Sequence, residues 1–335
     1  MTRFVDGGEK LTYDDILLYP GYTEIDSRSD VSLVCNLGNT LNLRYPVMSA
    51  AMDTVTGRDM AVALDACGGI GIIHRFQSVS ERVAQSEGVE KVGIAIGMGE
   101  SASDIKTLSS ICSVLAFDVA NGYSKAAIKR IDHIVNWKNP KCLLMVGNVV
   151  HPEAVTAMAA IGADIVKVGI GGGAACTTRM VTGFGYPNVS AIMECAEAAY
   201  KSYRDVKIVA DGGIRSSADI AKALAAGADC VMLGSLLAGC DEAPGERDHE
   251  GKKIYRGMAS ESAQAWNGGL KNGTVAEGVM GYVPLSGPVS SQIEHLMGGL
   301  RSAMTYADAR SITELKNVKL VRVTSNCIQE NRARI

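Results

Sequence analysis

The chain has 335 residues, 47% hydrophobic and 21% charged, and its 33 basic and 36 acidic side chains leave a formal net charge of −3. This much hydrophobicity with so little net charge excludes a disordered chain, no apolar run approaches the roughly 18 to 20 residues that cross a bilayer, and residues 1–10 hold no apolar signal core. The absence of a Lys/Arg-rich block argues against a nucleic-acid surface, and nine cysteines without a CxxC pair argue against a disulfide framework or a zinc site, so we expect a cytoplasmic protein whose partner is a small molecule.

Residues 1–44 read as an N-terminal arm or hairpin lying across the body of the protein. Short Val- and Ile-rich runs then predict strands at Tyr45–Ala50, Ile70–His74, Val92–Ile96, Val114–Asp118, Leu143–Val146, Ile165–Val168, Lys207–Ala210 and Cys230–Leu233. Amphipathic segments between them predict helices at Gly57–Ala66, Val79–Glu87, Ser103–Ser110, Ser124–Asn136, Pro152–Ile161, Asn188–Arg204 and Ala218–Ala226, most of which open on a capping residue or proline. A weak internal repeat, Ala159-Ala-Ile-Gly-Ala-Asp164 and Ala225-Ala-Gly-Ala-Asp229, precedes two of the strands. Eight βα units in about 250 residues fit a single-domain (β/α)8 TIM barrel better than a doubly wound sheet, and strands buried on both faces explain the aliphatic bias. Residues 241–288 are polar and glycine-rich without an apolar period, which marks a functional or mobile flap. A last helix is expected at Val289–Tyr306 and a strand-like run at Val318–Val323.

Barrel enzymes carry their sites at the C-terminal ends of the strands, so the residues after each strand are the candidates. After the sixth comes Gly169-Ile-Gly-Gly-Gly-Ala-Ala-Cys-Thr-Thr-Arg179, where Cys176 reads either as a nucleophile or as a small residue packed under a tight turn. After the seventh and eighth come Asp211-Gly-Gly213 and Gly234-Ser235, positions where barrels often bind phosphate through backbone amides. Asp211 there either accepts from a ribose or caps the next helix. Asp118 and Asn121 follow the fourth strand, as ligand groups or as helix caps. Glu277, in the flap, is an acid or base only if the flap folds over the mouth. His74-Arg75 offers cationic contacts or a structural ion pair, and Met52 and Met258 are core residues unless they face a planar ring.

Several ordered stretches resemble the inosine monophosphate dehydrogenase and guanosine monophosphate reductase family over nearly the whole chain. They are Leu11-Thr-Tyr-Asp-Asp-Ile16, Met52-Asp-Thr-Val55, Gly147-Asn-Val-Val150, the cysteine loop, Asp211-Gly-Gly213 and Tyr255-Arg-Gly-Met-Ala-Ser260. Asp118-Val-Ala-Asn-Gly-Tyr-Ser124 and Thr182-Gly-Phe-Gly-Tyr-Pro187 look like the reductase branch, as does a flap, Trp266–Glu277, without the Arg-Tyr pair that dehydrogenases normally carry. The usual regulatory insert between the second and third strands is also missing. Against this, Gly171-Gly-Gly-Ala174 replaces the family's Gly-Pro-Gly-Ser or Gly-Ser-Gly-Ser, Thr274 stands where reductases often have an arginine, and Asp241-Glu-Ala-Pro-Gly-Glu246 is closer to dehydrogenase wording.

The resemblance implies a GMP reductase that uses NADPH to convert GMP to IMP and ammonia. It makes Cys176 the nucleophile at the purine C2 and Thr178 with Glu277 a proton relay. It places Met52, Asp211, Gly213, Gly234, Ser235, Tyr255, Gly257 and Met258 around the purine mononucleotide, and Asp118, Asn121 and Gly169 beside the cofactor. The carbonyls of Gly171, Gly173 and Cys176 become potassium ligands, and the assembly a homo-tetramer. The runner-up is an IMP dehydrogenase using NAD+, and a nucleotide-binding regulator on a retired barrel is the non-enzymatic alternative.

Overall fold

The computed structural model describes residues 8–38, 41–266, 268–270 and 272–327; the remainder of the expected arm (1–7, 39, 40), two flap positions (267, 271) and residues 328–335 lie outside the described residues. The arm contributes β1 (Ile16–Leu18) and a short antiparallel hairpin of β2 (Cys35–Asn36) with β3 (Asn42–Leu43). Eight parallel strands follow: β4 (Val47–Ser49), β5 (Ile70–Ile73), β6 (Val92–Ile96), β7 (Val114–Asp118), β8 (Leu143–Val149), β9 (Ile165–Val168), β10 (Lys207–Asp211) and β11 (Cys230–Leu233). They close on themselves, β11 pairing back onto β4 through Val231 with Val47. This is the (β/α)8 barrel expected from the alternation.

The connecting helices are α1 (Arg58–Cys67), α2 (Val79–Ser86), α3 (Ala102–Ile111), α4 (Lys125–Trp137), α5 (Pro152–Ile161), α6 (Thr178–Thr182), α7 (Asn188–Tyr200), α8 (Ser217–Ala225) and α9 (Ser235–Ala238). Ser78, Ser101, Ser124 and Ser216 each accept a backbone N–H in the first turn of their helix, which satisfies an otherwise orphaned donor. Neither Asp118 nor Asn121 caps α4; Ser124 does so.

The apolar core divides into two layers, as expected for strands buried on both faces. Outside, strand residues such as Ile73, Ile94 and Phe117 pack against the helices. Inside, Met48, Ile70, Ile72, Met145 and Met232 fill the barrel. The arm hairpin closes the lower end of that inner layer with Cys35, Leu37, Leu41 and Leu43. The other part of the arm lies on the outer surface, where β1 pairs antiparallel with β14 (Leu320–Arg322) and fastens the two chain ends together.

The internal repeat has a structural meaning. Asp164 Oδ2 accepts the backbone N–H of Leu144 at 2.8 Å, and Asp229 Oδ2 accepts that of Ile208 at 2.7 Å. Each aspartate thereby ties the start of its own strand to the strand before it, at the end of the barrel away from the loops that carry the chemistry.

Residues 241–288 hold more regular structure than their composition suggests. Strands β12 (Lys253–Arg256) and β13 (Met280–Val283) form an antiparallel ribbon, and α10 (Glu261–Ala265) lies between them. The pairing joins segments separated by more than twenty residues, so no local period announces it. The Lys253 ammonium, buried, donates to the carbonyls of Cys240, Asp241 and Ala243 and pins the ribbon to the segment after α9. Beyond it, α11 (Val289–Tyr306) packs on α1 and α8, and α12 (Ile312–Leu315) precedes β14.

Candidate active site

A cavity of about 360 Å³ opens at the C-terminal ends of the barrel strands, within the usual range for small-molecule sites. Its wall includes Met52, Asp118, Gly169, Gly171, Gly173, Cys176, Thr178, Asp211, Gly213, Gly234, Ser235, Tyr255, Gly257, Met258 and Glu277, so the tertiary fold gathers nearly every candidate residue. Asn121 is the exception. It is exposed, does not line the cavity, and its Oδ1 accepts the N–H of Tyr123 at 3.0 Å in the turn before α4. Its carbonyl oxygen thus shapes the turn locally.

The cysteine loop leaves β9 through Gly169 (φ +142°), where a Cβ would lie 2.0 Å from the carbonyl oxygen of Asp211. Only glycine allows β9 and β10 to end in such close contact. Substitution Gly169→Ala is expected to cost more than about 3 kcal/mol, combining a disfavoured φ with backbone overlap. Chemical denaturation should show this as a large drop in midpoint, and a variant as stable as the wild type would contradict the contact.

Cys176 is half-buried, and its thiol donates to Thr178 Oγ1 at 3.3 Å; that hydroxyl in turn donates to Glu277 Oε2 at 2.9 Å. Two chain segments about a hundred positions apart thus form one line of proton-bearing groups. Backbone pairing holds the line in place. Thr177 N–H donates to the Glu277 carbonyl (2.9 Å), Val279 N–H to that of Ala175 (2.9 Å) and Glu277 N–H to that of Ala259 (3.0 Å). A Cβ at Gly257 would stand 2.8 Å from the Ala175 carbonyl oxygen, so a side chain there would force the flap away from the cysteine loop. Arg256 completes the closure through an ion pair with Asp53, whose motif follows β4.

The phenol of Tyr255 lies 4.0 Å from the sulfur of Met52 and above Gly234. Burial, with Asp211 and Cys176 nearby, pushes its pKa up to about 12, so it remains a hydrogen-bond donor. Gly212-Gly213, Gly234-Ser235 and Ala174 line the same cavity.

Asp211 and Asp118 stand at the ends of β10 and β7. Each gives one carboxylate oxygen to the same cation: Lys167 Nζ is 2.9 Å from Asp211 Oδ2 and 2.9 Å from Asp118 Oδ1. Asn148 Oδ1 accepts the third ammonium proton at 2.6 Å, while Asn148 Nδ2 donates to Asp211 Oδ2 (2.8 Å) and to the Gly169 carbonyl (2.7 Å). Burial alone would raise the Asp118 pKa, but the Lys167 charge outweighs it and holds the group below its ordinary value. Asp211 Oδ1 and Asp118 Oδ2 accept no hydrogen bond among the described residues.

Of the His74-Arg75 pair, Arg75 reaches the cavity, where its Nε donates to the Asp118 carbonyl at 3.2 Å. His74 is buried, and that burial lowers its pKa and disfavours its charged form. Lys167 and Asn148 were not foreseen as site residues. A lysine inside the aliphatic run Ile165-Val-Lys-Val168 was the available signal, because a charge in a buried strand requires partners.

The carbonyls proposed for a cation fit in part. Those of Gly171 and Cys176 accept no hydrogen bond among the described residues, whereas that of Gly173 accepts the Cys176 N–H at 3.1 Å.

Comparison with known proteins matches residues 10–334 to the family model described as the IMP dehydrogenase / GMP reductase domain. The chain is 38% identical to the GMP reductase of Vibrio vulnificus (strain YJ016), covering 96% of each chain, and 37% identical to GMP reductase 2 of Mus musculus, again covering 96% of each. It is 36% identical to the inosine-5'-monophosphate dehydrogenase of Cryptosporidium parvum, covering 97% of this chain and 94% of that one.

Proposed function

Since this chain belongs to the IMP dehydrogenase and GMP reductase family, we propose that it is a GMP reductase, an oxidoreductase acting on a purine nucleotide. The observation that carries the reading is the line from the Cys176 sulfur through the Thr178 hydroxyl to the Glu277 carboxylate. The reductase branch is favoured by a flap, residues 266–277, that contains no arginine to serve as a water activator.

The residues act in a definite order. The Cys176 thiol passes its proton through Thr178 to Glu277, and the sulfur adds at C2 of the guanine ring. The same relay, run the other way, gives that proton to the exocyclic amine, because nitrogen leaves as ammonia far more readily than as amide anion. Loss of ammonia leaves the purine joined to sulfur through C2. NADPH, when bound, supplies a hydride to C2. The carbon–sulfur bond then breaks, the sulfur recovers a proton from solvent, and IMP is free to leave. Covalent capture divides one difficult substitution into two steps.

Asp211, through its free oxygen, holds the nucleotide ribose, with Tyr255, Ser235 and the amides of Gly213 and Gly234 around the phosphate. Met52, Gly257 and Met258 border the purine. Asp118 Oδ2 and the Arg75 cation suit the ribose and phosphates of the dinucleotide, with Gly169 at the same wall. Potassium held by the Gly171, Gly173 and Cys176 carbonyls would order the cysteine loop. Exposed Met180, Phe184 and Trp266 are large apolar side chains that a homo-tetramer would cover, and sedimentation checks this. Among the described residues no helix is long and apolar enough to cross a membrane, and a cytoplasmic location is part of the proposal.

The direct test follows reduced-cofactor absorbance in two mixtures, GMP with NADPH and IMP with NAD+. Turnover in the first is expected, and turnover only in the second would replace this reading with a dehydrogenase. Ala174 bears on nucleotide affinity, since the resemblance puts a phosphate-binding serine there. Ala174→Ser is expected to lower the KM for GMP about three- to tenfold, the effect of one added hydrogen bond to a charged group, as read from initial rates.

A further inference from the structure

Lys167 lies in the middle of β9, 5% exposed, on a strand whose other residues are aliphatic core. All three of its ammonium protons are used, toward Asp118 on β7, Asn148 on β8 and Asp211 on β10. One cation therefore ties its own strand to the C-terminal ends of its two neighbours, β8 and β10, and of β7 beyond β8. A buried ammonium is costly unless fully paired, and one placed as a filler would not find three acceptors by accident of packing. Arg75 is the other cation in the cavity wall, but its Nε bonds the backbone carbonyl of Asp118. Among the described residues, Lys167 is the cation in contact with both carboxylates.

The contacts also decide which oxygen each aspartate offers. Lys167 and Asn148 occupy Asp211 Oδ2, and Lys167 occupies Asp118 Oδ1, so the remaining oxygen of each is the one available to a ligand. Without the cation, two carboxylates now gathered around a single nitrogen would repel one another, and neither would keep its orientation.

We propose that Lys167 is a positioning residue that couples the two ribose subsites, holding Asp211 toward the nucleotide and Asp118 toward the dinucleotide as their shared counter-ion. The inference rests on the nucleotide reading above and deepens it. It makes the nucleotide affinity depend on Asp118, a residue on the far side of Lys167 from the nucleotide.

Charge arithmetic supplies the test. Lysine with two aspartates carries −1; K167M leaves −2; K167M with D118N returns to −1. GMP binding by the full-length protein, without cofactor, is measured by calorimetric titration for the wild type, K167M, D118N and the double variant. K167M is expected to weaken GMP binding at least about tenfold, and adding D118N to recover most of that loss, to within about threefold of D118N alone. If K167M does not accumulate as folded protein, the double variant carries the test: GMP binding supports the proposal, and a folded double variant without it overturns the proposal. Unchanged binding in K167M, or a loss that D118N leaves in place, overturns the coupling while the nucleotide reading stands. A wild-type protein that binds no purine nucleotide overturns that reading and the coupling with it.

Discussion

Cys176→Ala is expected to abolish conversion of GMP while leaving GMP binding nearly intact. The loss should reach at least about four orders of magnitude in kcat, since no other group stands where the sulfur can bond to the purine, and what remains is the contribution of binding alone. The cavity wall is otherwise unchanged, because Cys176 is held by backbone pairing of its neighbours Ala175 and Thr177 to the flap. Three measurements separate the possible outcomes. Absorbance of reduced cofactor gives the rate, calorimetry gives GMP affinity, and peptide mass spectrometry of digested, acid-quenched wild type should show a purine nucleotide on the peptide containing Cys176. Turnover in the alanine variant within tenfold of wild type would remove covalent catalysis from the account.

The second large effect concerns the proton. Glu277→Gln preserves the size of the side chain but cannot take up the thiol proton, and Thr178→Val removes the hydroxyl that spans Cys176 and Glu277. Each is expected to lower kcat by about 10²- to 10³-fold, in the range of general acid–base contributions, with little change in the KM for GMP. Because the two groups serve one relay, the double variant should be scarcely slower than either single one. Steady-state rates for the four proteins test this. Multiplying effects would mean that Thr178 and Glu277 act separately, and a raised KM with unchanged kcat would mean that they bind the substrate rather than move its proton.

Much of the barrel was legible because its signals are local. Four of the eight strands, Val92–Ile96, Val114–Asp118, Ile165–Val168 and Cys230–Leu233, run as the Val/Ile runs predicted, and the helices α5 and α11 match to the residue. A strand buried on both faces announces itself as an unbroken aliphatic run, and a capped helix by its Ser or Pro. The ribbon of β12 and β13 was not legible, because its strands are four residues each and find one another only after the barrel has brought the flap to the mouth.

The chain's own order of residues established the eightfold alternation, the glycine-rich turn with its cysteine, and the family to which these belong, because each depends on neighbours within a few positions. Only the tertiary structure decided that Thr178 stands between Cys176 and Glu277, that the flap is stitched to the cysteine loop, and that Lys167 binds aspartates from two other strands. The bonds of Lys167 to Asp211 and Asp118 and of Thr178 to Glu277 join residues 44, 49 and 99 positions apart. Sequence spacing carries no distance over such separations; closure of the barrel, which sets every strand end around a single opening, is what turns them into neighbours.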